Sequence, residues 1–211
     1  MHPLYNISCI DSTYFSEINM SLYPERFVIV GFIAADGCIS VNKNCKQLIF
    51  NLCNKDREIL DRINLLICQN KRKISYLSGT NSNMLSITSR QICNDLERYY
   101  IVPRKTNFLK LPDLNLKFMS YYLRGYFYGD GCYHKGKQEV FHFVGNKIIM
   151  FEIHKFLTKN NIVKHAVLSN VKSSSNSLQL VLQGDNAKLF AKYIYQDDKI
   201  ILLDRKHNCG L

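Results

Sequence analysis

Apolar and polar positions alternate along residues 39–42, where Ile39 and Val41 interleave with Ser40 and Asn42. The alternation resumes over 47–52, with Leu48, Phe50 and Leu52 against Gln47 and Asn51, and only Ile49 breaks it. A period of two predicts two strands, each with one packed and one wet face. Over 55–68 the spacing becomes helical, with Ile59, Leu60, Ile63 and Ile67 on one side. Residues 73–77 and 84–88 predict a hairpin across the turn-rich stretch Ser78-Gly79-Thr80-Asn81-Ser82-Asn83. A further helix is predicted over 91–100, ending before Pro103.

The pattern is written twice. Residues 29–38 read Ile-Val-Gly-Phe-Ile-Ala-Ala-Asp-Gly-Cys, and residues 123–132 read Leu-Arg-Gly-Tyr-Phe-Tyr-Gly-Asp-Gly-Cys. Asn54-Lys55 and Asn146-Lys147 follow the second strand of each copy, and Arg104-Lys105 and Arg205-Lys206 follow each last helix. The expected organisation is an N-terminal arm of no assigned role over 1–22, a first copy over 23–100, a linker carrying Pro103 and Pro112 over 101–118, and a second copy over 119–211. The second hairpin tip is expected at Ser173-Ser174-Ser175-Asn176-Ser177. Each copy reads helix, two strands, helix, two strands, helix.

The duplicated segment carries chemistry. If 25–36 is a helix, Gly37 suits the left-handed residue that ends it, and Asp36 falls in the last turn. A carboxylate there opposes the macrodipole and calls for a compensating cation. Asp130 before Gly131 repeats the arrangement, which suggests a divalent ion. Gly31 with Ala35, and Gly125 with Gly129, recur at a spacing of four and line one helical face. Glycine inside a helix costs roughly 1 kcal/mol against alanine, and close packing of two backbones would offset it. Helices paired through these faces would bring Asp36 and Asp130 together, an oxygen-only donor set suited to magnesium and phosphodiester hydrolysis.

Composition narrows the partner. The 211 residues are 46% hydrophobic and 21% charged, as in a packed domain, with a net charge of +11 and a pI near 9.3. Such an excess favours a polyanion without choosing between DNA, RNA and an acidic membrane. No apolar run is long enough to span a bilayer, and the N-terminal residues lack a signal-peptide pattern. An intracellular setting with reduced thiols is therefore expected. The eight cysteines form no Cys-x-x-Cys pair, and no His-x-His spacing of the zinc type stands near a close pair. Buried structural thiols are expected instead, Cys38 and Cys132 included.

Ile29–Gly37 and Leu123–Gly131 resemble the LAGLIDADG motif of homing endonucleases, and the resemblance extends over roughly 25–208. It implies a mixed α/β fold of two pseudo-symmetric αββαββα repeats, with antiparallel sheets forming a saddle over DNA and the motif helices packed at the centre. It also implies that Asp36 and Asp130 hold Mg2+ or a similar ion such as Mn2+, assisted by the main-chain carbonyls of Ala35 and Gly129. Asn54 and Asn146 would organise solvent around the metals. Lys105 and Lys206 would polarise water or stabilise the pentavalent phosphate. Ala34 and Tyr128 depart from the family, which often has an acid there.

If one strand face packs on the helices, the other can enter the major groove. Ser40, Asn42, Gln47, Asn51, Lys73, Ser75 and Ser86 are candidates for DNA contact in the first copy. His134, Lys135, Lys137, Glu139 and Gln179 are those of the second. The expected activity is metal-dependent staggered cleavage of a long, non-palindromic duplex site by a monomer without a membrane or an obligate protein partner. A maturase acting on structured intron RNA and a non-cleaving DNA-binding regulator are alternatives on the same scaffold. A structural or protein-interaction domain is the alternative of another kind.

Overall fold

The computed structural model describes residues 10–43, 45–171, 174–197, 199–200, 202–207 and 209. The alternating runs form antiparallel strands in the expected places. In the first copy α1 (Glu17–Leu22) and α2 (Phe27–Asp36) precede β1 (Gly37–Asn42) and β2 (Cys45–Cys53), and α3 (Arg57–Cys68), β3 (Ser75–Leu77), β4 (Ser82–Thr88) and α4 (Arg90–Glu97) follow. The second copy runs α5 (Leu116–Asp130), β5 (Gly131–Lys135), β6 (Glu139–Asn146), α6 (Lys147–Lys159), β7 (Val167–Val171), β8 (Ser174–Gln183) and α7 (Asp185–Ile194). Each copy builds a four-stranded sheet, in the order β1-β2-β4-β3 and β5-β6-β8-β7. The result is a mixed α/β fold in which the second sheet repeats the topology of the first.

One face of each sheet feeds the core. Ile39, Leu48, Phe50, Leu52, Leu85 and Ile87 are buried in the first, and Phe141, Phe143, Leu178, Leu180 and Leu182 in the second. Opposite register partners carry Ser40, Gln47 and Thr88 on the outer face of the first sheet. Helix α3 buries Ile59, Leu60, Ile63 and Ile67 and leaves its other side wet. Helix α2 differs, because Phe27–Ala34 are all buried. A helix apolar all round belongs in the middle of a fold, and α2 meets its counterpart α5 there.

That contact is a backbone contact. A Cβ on Gly31 would lie 1.9 Å from the Tyr122 carbonyl oxygen, and one on Gly125 would lie 1.8 Å from that of Val28. One turn further, a Cβ on Gly129 would lie 2.4 Å from the Ala35 Cβ. The helices therefore run in the same direction, and their C-terminal ends emerge side by side.

Several local expectations are corrected. Gly37 does not adopt a left-handed cap: its φ of −78° and ψ of 153° are extended, and it begins β1. Glycine is required there because a side chain would come within 2.6 Å of Ile33 Cγ2. The first hairpin strand begins at Ser75, so Lys73 precedes the sheet; Ser82 and Asn83 belong to β4, with Asn81 making the left-handed turn at φ 47°. Residues 116–118 belong to α5, which Asn115 caps by accepting from the Phe118 N–H at 2.9 Å. Residues 1–9 of the arm, and Ser173 of the expected second hairpin tip, lie outside the described residues, while positions 174–177 of that expected tip belong to β8. Residues 10–22 fold against the first copy, with Phe15 fully buried and its carbonyl bonded to Arg98 at 2.7 Å.

Gly31→Ala or Gly125→Ala is expected to lower unfolding stability by about 3 kcal/mol or more, because backbone cannot yield as a side chain can. Gly79→Ala, where an added Cβ meets nothing within 4 Å, is expected to stay within about 0.5 kcal/mol of the parent in urea denaturation.

Candidate active site and sheet faces

Asp36 and Asp130 end the two central helices, and the next residue of each begins a sheet. The Asp36 Oδ2 lies 3.0 Å from where a Gly129 Cβ would stand, so the Asp36 carboxylate sits against the residue preceding Asp130. Both carboxylates are open to solvent on one side and surrounded by protein on the other. Burial pushes the Asp130 carboxyl up to about 6, with the Asp36 charge adding to it and Lys105, Lys206 and the Tyr126 hydroxyl opposing. Burial also raises Asp36, opposed by Lys206 and Lys105, while Asp56 adds to the rise.

The lysines provide part of the cationic compensation that the helix ends require. Lys105 donates to the Ala35 carbonyl at 3.1 Å. Lys206 is buried and donates to the carbonyls of Phe127 (3.1 Å), Tyr128 (2.9 Å), Gly129 (3.2 Å) and Gly131 (2.6 Å). Burial lowers both ammonium groups, that of Lys206 to about 8, with the Arg205 charge adding and Asp36 and Asp56 resisting. The Ala35 and Gly129 carbonyls are thus at the site, each with a lysine on it.

Each lysine rides on a short 3-10 turn held by the opposite copy. The turn Asp204–Lys206 is tied to the first copy by Arg205–Asp56 at 2.6 Å and Arg62–Asp204 at 2.8 Å. The turn Lys105–Asn107 is tied to the second by Asn146, whose Nδ2 donates to the carbonyls of Thr106 (2.9 Å) and Leu109 (3.1 Å). The Asn146 Oδ1 meanwhile caps α6 by accepting from the Ile149 N–H at 2.9 Å. Asn54 accepts from Asn83 Nδ2 at 2.8 Å, and Asn83 also takes Arg57 at 3.0 Å. Both asparagines are thus engaged in structural bonds. Asp56 and Tyr126, which the sequence did not single out, stand close to the carboxylate pair.

On the outer face of the first sheet, Ser40, Gln47 and Thr88 form one row, and Ser75, Met84 and Asn51 another. Ser86 and Cys38 flank Ile49 between them, and Asn42 closes the edge. On the second sheet the outer rows hold His134 with Val140 and Gln183, Cys132 with His142 and Val181, and Val144 with Gln179. Lys137 stands exposed in the turn between β5 and β6. Glu139 is corrected: it and its partner Lys135 fall in the register of the core-side residues Tyr133 and Phe141, and Glu139 accepts from the Tyr133 hydroxyl at 3.1 Å. Cys38 and Cys132 are corrected too, being exposed on the outer faces and not buried thiols.

Two copies of one α/β unit around a glycine-lined helix pair, with a carboxylate ending each helix, define the fold of the LAGLIDADG homing endonucleases. Among solved structures, I-LtrWI bound to target DNA shares it at 14% identity and a TM-score of 0.52, covering 83% of each chain. I-AabMI bound to uncleaved DNA matches at 16% identity and 0.55, over 81% of this chain and 83% of the other. I-SmaMI bound to an uncleaved DNA target in the presence of calcium ions matches at 15% and 0.53, over 83% and 85%. No protein-family model matches the sequence, and neither does any curated protein. At such identities the likeness is one of fold. Among the described residues no helix is long and apolar enough to cross a membrane.

A carboxyl whose folded pKa is raised contributes stability that is full below its unfolded pKa and lost as pH rises through the folded one. The metal-free protein is therefore expected to lose stability between about pH 4 and pH 6 through Asp130. Solvent on the open side screens the cost to the order of 1 kcal/mol. In thermal melts across this range Asp130→Asn should flatten the loss, and calcium should raise the wild-type midpoint more at pH 7 than at pH 5.

Proposed function

We propose that this chain is a site-specific DNA endonuclease that hydrolyses phosphodiester bonds with divalent metal held between Asp36 and Asp130. The observation that carries the reading is the convergence of two carboxylates, at the junctions where two helices pass into two polar-faced sheets, flanked by Lys105 and Lys206. The donor set fits a hard cation: two carboxylates and the Ala35 and Gly129 carbonyls offer oxygen alone. Mg2+ is the natural occupant, with Mn2+ as a substitute. When bound, such an ion polarises the phosphate and lowers the pKa of attacking water.

The chain's own residues do the rest. Asp36 and Asp130 would hold the ions, their negative charge attracting the cations that offset their own repulsion of the phosphate. Lys105 and Lys206 stabilise charge developing on those oxygens. Asp56 and Asn146 keep the two lysine-bearing turns in place across the copy boundary. The near two-fold relation of the lysines and carboxylates supports the action of one copy on each DNA strand, and in this reading the break is staggered. The fold likeness to DNA-bound endonucleases and the net charge of +11 support duplex DNA as the polyanion.

The sheet faces explain why the target should be long and non-palindromic. The row Ser40, Gln47 and Thr88 corresponds to His134, Val140 and Gln183, so equivalent positions offer different donors to the groove. A monomer with its site inside one chain suffices, and the work is intracellular, where DNA and reduced thiols are found.

The test is cleavage of a randomised duplex library with magnesium, followed by sequencing of the ends. One recurrent site is expected, and Asp36→Asn or Asp130→Asn should each lower its cleavage by about 1,000-fold or more. Binding of that site in calcium should change little in either variant. Site-selective binding without cutting in any divalent metal would overturn the nuclease reading and favour a non-cleaving regulator. Preference for structured RNA over duplex DNA would favour a maturase.

A further inference from the structure

A second cluster of donors lies on the outer face of the second sheet. Ligand atoms of Cys132, His134 and His142 all fall within 4.8 Å of one another. Cys132 and His134 are two residues apart on β5 and share a face, and His142 is the register partner of Cys132 on β6. The Cys132 Sγ lies 3.4 Å from His134 Nε2, and the two imidazole centroids are 4.9 Å apart. The Nε2 of His142 is buried and has no hydrogen-bond partner, while its Nδ1 meets the Gln179 amide. A buried polar nitrogen left alone costs about 1–3 kcal/mol, and a metal ion would satisfy it.

We propose that Cys132, His134 and His142 form a binding site for a borderline-soft divalent metal, zinc being the best fit. One thiolate and two imidazoles are donors that zinc prefers and magnesium does not. Three protein ligands leave a fourth position, which is open to solvent because Cys132 and His134 are exposed. Binding forms a zinc–sulfur bond as the Cys132 thiol proton leaves to solvent. Turning the Gln179 amide to present its oxygen to the His142 Nδ1–H would fix the tautomer that frees Nε2 for the metal.

The first copy is a built-in control. The register equivalents of the three positions there are Cys38, Ser40 and Ile49, so only the cysteine is shared. The ion would pin β5 to β6 and put positive charge on one sheet face alone. His134 would then act as a metal ligand and not as a reader of bases. The site is chemically distinct from the carboxylate pair and does not depend on the cleavage reading.

Full-length protein, stripped with chelator and kept in a non-thiol reductant, would be titrated with cobalt as the spectroscopic probe. One equivalent is expected to give a thiolate-to-cobalt charge-transfer band and the visible bands of a four-coordinate site, both bleached by zinc. Cys132→Ala should remove the charge-transfer band, and His142→Ala should weaken cobalt binding at least tenfold. Cys38→Ala should leave the spectrum unchanged, as should the double variant Asp36→Asn with Asp130→Asn. Circular dichroism of each metal-free variant checks that it is folded, and His134→Gln gives a second ligand variant should His142→Ala unfold. Absence of the band from the wild-type protein, or its survival in folded Cys132→Ala, would overturn the proposal.

Discussion

The backbone contact between α2 and α5 constrains everything else in the molecule. Glycine at positions 31 and 125 lets the two main chains touch, and the Ala35–Gly129 step keeps them close to the last turn. Because the helices run in the same direction, their carbonyl-rich ends arrive together, each carrying an aspartate. Two helix termini and two carboxylates then concentrate negative charge in one place. The fold answers with Lys105 and Lys206, whose ammonium groups sit on the carbonyls of those same helix ends. The arrangement is electrostatically poised for further cations, because burial raises both carboxyls and the Asp36 charge adds to the rise of Asp130.

The lysines also show why the two copies act as one molecule. Lys206 belongs to the second copy, yet its turn is tied to the first by Arg205–Asp56 and Arg62–Asp204. Lys105 lies in the linker that follows the first copy, yet its turn is held by Asn146 of the second. Exposed ion pairs contribute little to stability on their own. Here their consequence is positional: they place each ammonium over the shared centre, and a copy alone could not complete that placement.

Much of this was legible in the sequence because it follows from periodicity and repetition. The period of two at Ile39–Asn42 and Leu48–Leu52 gave strands, and the paired glycines gave the helix contact. The repeat turned one ambiguous Asp-Gly into two matched ones. What was not legible depends on contacts between distant positions. Gly37 reads as a helix cap, but Ile33 crowds it while its backbone is extended. Glu139 looks like a base reader until the β5–β6 register puts it beside Tyr133. Asn54 and Asn146 read as solvent organisers, and their observed bonds are to Asn83 and to the linker. The carboxylate of Asp56 carries no motif, and only the folded chain brings it near Asp36.

The cluster at Cys132 shows the same limit most clearly. Spacing rules for zinc search along the chain for close pairs of cysteine or histidine. In an antiparallel sheet the relevant neighbours are instead register partners, so Cys132 and His142 stand ten positions apart in sequence and opposite each other in space. Strand parity would have found them, because residues 132, 134 and 142 all fall on the polar side of their strands once the hairpin register is known. Duplication then supplies the contrast that a single copy lacks. The central helices keep the glycine of their contact and the Asp-Gly of their ends in both copies, whereas the outer faces are free to diverge, and it is there that serine and isoleucine in one copy stand where the other has two histidines. Constraint at the centre and freedom at the faces are two consequences of one fold: the helix contact fixes where chemistry occurs, and the sheets decide what each half can bind.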